Sequence, residues 1–193
     1  QDHLDFHGSM DRYMAAKSRL FRMPGKTDRK AVAVLNSDDP ASEYFRPMIP
    51  DYRTIRTYGL ENPADVTALD IRLKPDSNEF VLRCPEGDFP TSVPIPGRHN
   101  VLNALASVSA LIALGYDAAA VAEAMKNLPA VPGRMEKVTG GHPFQVLVDY
   151  AHTPDALVNL LDAVRPITPG RVITVFGCGG DRDRSKRPMM GEA

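Results

Sequence analysis

One run of residues, Val146 to Leu157, restricts the fold of this chain more than any other. It starts with an apolar triplet, continues through Asp149, Tyr150 and His152, and then begins a helical pattern at Thr153–Pro154. A strand that leads through a polar turn into a helix is typical of open α/β sheets, which bind ligands at the carboxyl ends of their strands. The run therefore predicts an α/β fold with candidate ligand-binding side chains on this turn.

The rest of the chain alternates between helical and extended patterns. Apolar periodicity predicts helices over 9–21, 98–114, 117–128 and 154–164, and strands over 31–35, 54–59, 66–73, 79–84, 89–95, 145–148 and 171–176. The strand–helix–strand order of the last three elements predicts a right-handed crossover and parallel pairing. The proline-rich segment 129–133 is the best candidate for a linker between two domains.

The composition excludes several classes of protein. The 23 basic and 24 acidic residues leave a net charge of −1, so we expect no nucleic-acid partner and no membrane surface. Cys84 and Cys178 are too few for a disulfide framework and predict free thiols in a reducing compartment. The ends of the chain, Gln1 without an initiating Met and Ala193 early in a helical pattern, suggest a piece of a longer protein.

Lys17 is the first candidate for chemistry, because it falls on the apolar stripe of the first predicted helix. A buried lysine tends to lose its proton, and a neutral amine can react with carbon dioxide to give a carbamate that binds metals. The simpler interpretation is a long side chain that carries its charge to water. His3 and His7 are spaced for a metal, but a lone histidine pair is weak evidence for one.

The segment 177–188 is rich in glycine and then in charge, and it follows a predicted strand. Glycines let the backbone approach an anion, and its arginines can bind carboxylate or phosphate; a solvated loop is the alternative. Asn100 and Asn103 lie at the start of a helix, where the first can cap the helix and the second can read a purine edge. Arg134, just after the linker, is either a surface charge or a nucleotide contact.

Five segments together resemble one family. They are 3–17, 97–104 (Gly-Arg-His-Asn-Val-Leu-Asn-Ala), 132–136 (Pro-Gly-Arg-Met-Glu), 149–157 and 177–188, and they are similar in order and spacing to the Mur ligases. These ATP-dependent enzymes build the peptidoglycan stem peptide, and the closest resemblance is to the branch that adds its third residue. The resemblance covers essentially the whole chain.

The resemblance implies a role for each candidate residue. Lys17, carbamylated, and His3 would bind Mg²⁺ and act in catalysis, and Arg182 would contact a carboxylate of the incoming amino acid. The ATP side of the cleft would be lined by Asn100, Asn103, Arg134, Asp149, Tyr150 and His152. The implied cofactors are ATP and Mg²⁺, the implied substrates are UDP-N-acetylmuramoyl-dipeptide and meso-diaminopimelate, and the implied location is the cytoplasm.

The resemblance also implies an architecture. Residues 1–131 would be the second half of a central ATP-binding domain, with a mainly parallel sheet and a small antiparallel piece, and residues 132–193 would begin a Rossmann-like C-terminal domain. The family's P-loop and its acceptor-selecting Asp-Asn-Pro-Arg motif would lie in missing N-terminal and C-terminal portions, so we expect the isolated chain to be inactive. The alternatives are a lysine-adding homologue, another Mur ligase, a folylpolyglutamate synthetase relative and a nucleotide-binding module that has lost catalysis.

Overall fold

The computed structural model describes residues 8–22, 31–51, 53–129, 131–141, 143–179, 184 and 186–193. Its helices are α1 (Met10–Arg22), α2 (Ala41–Phe45), α3 (Arg98–Ala113), α4 (Ala118–Met125), α5 (Pro154–Val164) and α6 (Lys186–Glu192), with short 3-10 turns at Arg46–Met48 and Arg165–Ile167. Its strands are β1 (Val32–Asn36), β2 (Thr54–Tyr58), β3 (Thr67–Leu73), β4 (Asn78–Cys84), β5 (Gly87–Val93), β6 (Glu136–Val138) and β7 (Val146–Val148).

The described strands form three small sheets. β1 and β2 are parallel, with Val32 opposite Thr54. β3, β4 and β5 form an antiparallel meander, which is irregular between Leu69 and Arg72. β6 and β7 are an antiparallel pair. The α/β fold class, with both parallel and antiparallel sheets, is thereby confirmed. The expected predominance of parallel pairing is not seen among the described strands, because the antiparallel meander has three strands and the parallel sheet has two.

The largest core lies between the meander and helices α3 and α4. Its fully buried residues include Val66 on the approach to β3, Leu82 on β4, and Val101 and Leu105 on α3. The periodicity of α3 in the sequence predicted this buried face, because residues three and four apart share one side of a helix. α3 also packs against β1 and β2, so this helix joins both sheets and its first turn is held from two sides.

Helix boundaries follow from local signals in the sequence. Asp117 caps α4, since its Oδ1 accepts a hydrogen bond from the backbone N–H of Ala120 at 2.8 Å. Thr153 caps α5 in the same way through Ala156 N, at 3.2 Å. Gly115 follows α3 with φ of +93°, the left-handed conformation that glycine adopts without strain.

One predicted strand is wrong. Residues 171–179 form no strand, and no strand in the described part of the chain pairs with them; β7 instead pairs antiparallel with β6. The apolar run is largely exposed, at 69% for Ile173 and 93% for Val175. Apolar character indicates burial only where another layer covers the segment, and a strand needs a neighbour for its backbone hydrogen bonds. The predicted parallel β–α–β unit is therefore not formed.

Candidate functional site

The start of α3 is fixed by the chain that leads into it. Gly97 precedes the helix with φ of +97°, and its carbonyl accepts hydrogen bonds from the backbone N–H of Asn100 at 2.9 Å and from the side chain of Asn78 at 3.0 Å. Asn78 is fully buried on β4 and also donates to the carbonyl of Ile95 at 2.7 Å. The antiparallel sheet thus determines where the first turn of α3 lies.

Asn100 and Asn103 lie on this first part of α3 and are linked to each other. Asn100 Nδ2 donates to the Pro96 carbonyl at 2.7 Å, and Asn103 Nδ2 donates to Asn100 Oδ1 at 3.2 Å. The capping alternative for Asn100 is wrong, because α3 begins at Arg98 and the Asn100 side chain bonds the Pro96 carbonyl and Asn103 instead of a backbone N–H of the first turn. Both asparagines line a groove of about 600 Å³ between α3 and α4, whose other lining residues are mostly apolar.

The turn after β7 carries the acid, the tyrosine and the histidine that the sequence placed there. Asp149 Oδ1 accepts from Ala151 N and Asp149 Oδ2 accepts from Met135 N, both at 2.8 Å. Met135 is buried and has a positive φ of 46°, a conformation that costs energy for a residue with a side chain. The carboxylate of Asp149 therefore ties the turn after β7 to the segment that enters β6.

The side chains of Arg134, Tyr150 and His152 lie against one another beside this turn. The Arg134 guanidinium lies 5.2 Å from the centre of the Tyr150 ring, and that ring meets the His152 ring edge to face at 4.8 Å. His152 Nδ1 lies 2.9 Å from the carbonyl oxygen of Tyr150, which fixes the imidazole orientation. All three residues are exposed. A flat aromatic surface beside a cation suits a planar heterocycle and an anion, so these residues fit a nucleotide.

His99, on the first turn of α3, connects that helix to the turn after β7. It is half-buried, and burial lowers the pKa of its imidazole; the negative charge of Asp149 opposes this and the positive charge of Arg134 adds to it. Both charged groups are therefore close enough to act on His99. The charges that act on His99 thus come from the residue just after the linker and from the turn after β7. Sequence reasoning gave His99 no role, although it lies beside Asn100 in the motif that carried the resemblance.

Lys17 lies in α1, the helix that the sequence predicted for it. Its side chain is exposed on α1 and lies over the Tyr13 ring, with Nζ 5.3 Å from the ring centre. The residue that α1 buries is Ser18, because Phe21 on the same helix packs against Phe45 of α2 with ring centres 5.0 Å apart. The exposed lysine agrees with the simpler interpretation from the sequence, so burial does not favour the neutral amine that a carbamate requires.

Two other predicted site residues, His3 and Arg182, lie outside the described residues, as does His7. Within the described residues there is no group of three or more His, Cys, Asp or Glu side chains that could hold a metal ion. Lys17 alone does not make a magnesium site. The residues described here therefore fit a nucleotide but do not by themselves assemble the metal centre.

Models of two protein domain families match most of this chain. The model of the Mur ligase middle domain matches residues 1–111, and the model of the Mur ligase glutamate ligase domain matches residues 133–193. The chain belongs to the Mur ligase family. The first match ends within α3 and the second begins just before Arg134, so His99 and Arg134 lie in different matched domains.

Individual Mur ligases show a high similarity to this chain. It is 45% identical over its whole length to the UDP-N-acetylmuramoyl-L-alanyl-D-glutamate–2,6-diaminopimelate ligase of Geobacillus thermodenitrificans, and covers 40% of that protein. It is 44% identical to the ligase of the same name from Synechocystis sp., over 99% of this chain and 38% of that one. A solved structure with this name has a TM-score of 0.72 and 35% identity, over 100% of this chain and 39% of that one. The chain thus spans about 40% of the length of these Mur ligases.

Proposed function

We propose that this chain is part of a ligase that joins meso-diaminopimelate to UDP-N-acetylmuramoyl-L-Ala-D-Glu during peptidoglycan synthesis, in a reaction that consumes ATP. The observation that carries the proposal is the contact of Arg134, Tyr150 and His152 with one another beside the turn after β7, in a chain of the Mur ligase family. The names of its relatives support diaminopimelate as the added amino acid over lysine, and they support this branch over other Mur ligases or a folylpolyglutamate synthetase.

The reaction requires two transfers. ATP supplies a phosphoryl group to the terminal carboxylate of the UDP-linked dipeptide, which gives an acyl phosphate and ADP. The amine of diaminopimelate then attacks the acyl carbon, an amide forms, and inorganic phosphate leaves. Such a reaction depends mainly on positioning and on neutralising phosphate charge.

The described residues supply positioning and charge on the nucleotide side. The exposed Tyr150 ring offers a surface for stacking, and Arg134, held above that ring, offers a cation that cannot lose its proton. Asp149 has both oxygens occupied by backbone N–H groups, so its part is to hold Arg134 and Tyr150 in place. Asn100 and Asn103 lie on the adjacent helix, where their amides flank the apolar groove and suit the polar edge of a purine.

We propose that residues 1–131 belong to the central domain and residues 132–193 to the C-terminal domain. The two family matches, which end at 111 and start at 133, support this division, as does the proline-rich segment between them. A cytoplasmic location agrees with the two free thiols, Cys84 and Cys178. In the part of the chain that the structure describes, no helix is long and apolar enough to cross a membrane.

The metal ligands and the acceptor residue remain predictions. We propose that Lys17, as a carbamate, and His3 bind Mg²⁺, and that Arg182 binds a carboxylate of diaminopimelate. In the full-length gene product that contains this chain, Lys17→Ala is expected to abolish turnover, and short carboxylic acids are expected to restore part of it by replacing the carbamate. Unimpaired turnover in Lys17→Ala would remove the carbamate from the proposal.

The proposed function is tested by phosphate release from the full-length gene product. It is supplied with ATP, Mg²⁺ and UDP-N-acetylmuramoyl-L-Ala-D-Glu, and in separate reactions with diaminopimelate or lysine. The proposal predicts release with diaminopimelate and little with lysine. Release with lysine alone would indicate the lysine-adding branch, and no release with either amino acid would indicate another acceptor or a module without catalysis.

A further inference from the structure

The carboxylate of Asp38 organises the carboxyl ends of the two parallel strands. Asp38 follows β1, and it accepts hydrogen bonds from three consecutive backbone N–H groups beyond β2: from Leu60 at 2.6 Å, from Glu61 at 3.1 Å and from Asn62 at 2.8 Å. The side chain of Asn62 returns a hydrogen bond to the carbonyl of Ser37 at 3.1 Å. One side chain therefore fixes the 60–62 loop against the end of β1.

The local sequence leaves room for this carboxylate. Gly59 is buried directly beside it, and a Cβ at that position would lie 2.9 Å from Asp38 Oδ1 and 3.2 Å from Cγ. Burial would raise the pKa of Asp38, but the three backbone hydrogen bonds and the positive charge of Arg98 outweigh it and hold that pKa below its ordinary value. Asp38 is therefore ionised at neutral pH and accepts these bonds at full strength.

The loop that Asp38 holds reaches the first residue of α3. Glu61 Oε1 accepts a hydrogen bond from the Arg98 guanidinium, and both side chains are about half exposed or more. An exposed ion pair adds little stability by itself. Its position matters more, because Arg98 precedes His99, on which the charges of Asp149 and Arg134 act, and Asn100, which lines the groove. Asn78 fixes the chain before α3 from the other sheet, so Asp38 supplies the second of two anchors.

We propose that Asp38 is a positioning residue for the nucleotide site: it holds the 60–62 loop, and through Glu61 and Arg98 it fixes the first turn of α3. This inference rests on the proposed function of the site. The residue that it adds, Asp38, contacts the backbone of the 60–62 loop, and it touches no proposed substrate. It predicts that loss of the Asp38 charge weakens ATP binding more than it weakens binding of the amino acid.

The test compares Asp38→Asn with Asp65→Asn in the full-length gene product. Asp65 is a matched control, because its carboxylate also accepts a backbone hydrogen bond, from Thr57 N at 2.7 Å, in the same connection between β2 and β3. It does not hold the loop that meets α3. Asp38→Asn is expected to raise the KM for ATP about fivefold or more and to leave the KM for diaminopimelate within about twofold, as loss of a positioning contact predicts. Asp65→Asn is expected to leave both constants within about twofold.

A second variant keeps the test decisive if Asp38→Asn does not fold. Glu61→Gln removes the exposed ion pair to Arg98 without disturbing the core, and it is expected to raise the KM for ATP about threefold, more than Asp65→Asn does, in keeping with the small energy of such pairs. Equal effects of Asp38→Asn and Asp65→Asn on the KM for ATP, or a KM for ATP in Glu61→Gln no higher than in Asp65→Asn, would overturn the proposal.

Hydrogen exchange separates this inference from the proposed function. In the wild type and in Asp38→Asn, exchange is measured for the peptide segments that contain 60–62 and 98–101. The inference predicts faster exchange in both segments of the variant, whether or not the protein releases phosphate with diaminopimelate. Faster exchange confined to 60–62 would show that Asp38 orders only its own loop, and it would refute the link to α3.

Discussion

Replacement of Gly97 by alanine tests how tightly the start of α3 is held. Gly97 has φ of +97° and ψ of 137°, a backbone region that is essentially restricted to glycine. A Cβ there would lie 2.8 Å from His99 Cε1 and 3.0 Å from the Cβ of Ala163 on α5. The His99 ring can turn aside, but the Ala163 methyl is attached rigidly to a helix, so the backbone has to move.

The expected loss of stability has two parts. The backbone conformation costs an alanine about 1–3 kcal/mol. Relief of the contact with α5 costs about 1–3 kcal/mol more, as for other groups forced into a packed site. We therefore expect Gly97→Ala to lower the free energy of unfolding by roughly 2–6 kcal/mol, a large part of the stability of a small domain.

Gly115→Ala is the matched control, because Gly115 also has a positive φ, of 93°, but a Cβ there would meet nothing within 4 Å. This variant should lose about 1 kcal/mol, the cost of the backbone alone. Urea unfolding followed by circular dichroism gives both values. If Gly97→Ala lost no more stability than Gly115→Ala, the close packing of the α3 start against α5 would be refuted.

Two further predictions concern the same region. Asn78→Ala should lower the free energy of unfolding by about 2–4 kcal/mol, because it removes two hydrogen bonds and leaves the carbonyls of Ile95 and Gly97 without this donor. A loss below about 1 kcal/mol in the same urea assay would argue against Asn78 as an anchor of α3. Burial depresses the pKa of His99 below its ordinary value of 6.5, so the unfolded chain binds a proton more readily than the folded chain does. The free energy of unfolding should therefore fall as the pH is lowered from about 7.5 to about 5.5. His99→Gln should reduce this pH dependence between about pH 7.5 and 5.5, and an unchanged slope would show that His99 is not the group responsible.

Much of the fold was predictable because its signals are local. The caps at Asp117 and Thr153, the glycine after α3 and the apolar stripe of α3 each depend on residues within one or two helical turns. Strand alternation gave the meander of β3 to β5 for the same reason. Such features need no knowledge of distant parts of the chain.

The features that the sequence concealed depend on distant partners. The residues near Lys17 left its burial open, and they do not indicate that Ser18 is the residue that α1 buries. The run 171–176 has the composition of a buried strand, but whether it pairs depends on what lies beside it. His99 acquires its environment from Asp149 and Arg134, which lie beyond the linker, and that pairing has no signature in the residues around His99.

The candidate site was also predictable only in part. The residue types on the turn after β7 were predictable, because polar side chains at the end of a strand mark a ligand-binding edge. The separate role of each of these residues was not predictable. Asp149 uses both oxygens to hold backbone N–H groups, and the exposed surface is left to Arg134 and Tyr150.

The most direct test of the account is the KM for ATP of Arg134→Gln in the full-length gene product, with Arg165→Gln as an exposed control on the turn after α5. If Arg134 and Tyr150 form the nucleotide side of the site, Arg134→Gln should raise the KM for ATP about tenfold or more, the effect of losing one charged contact, while the KM for diaminopimelate stays nearly constant. Arg165→Gln should leave both values unchanged. An unaltered KM for ATP in Arg134→Gln would contradict the placement of the nucleotide beside this turn.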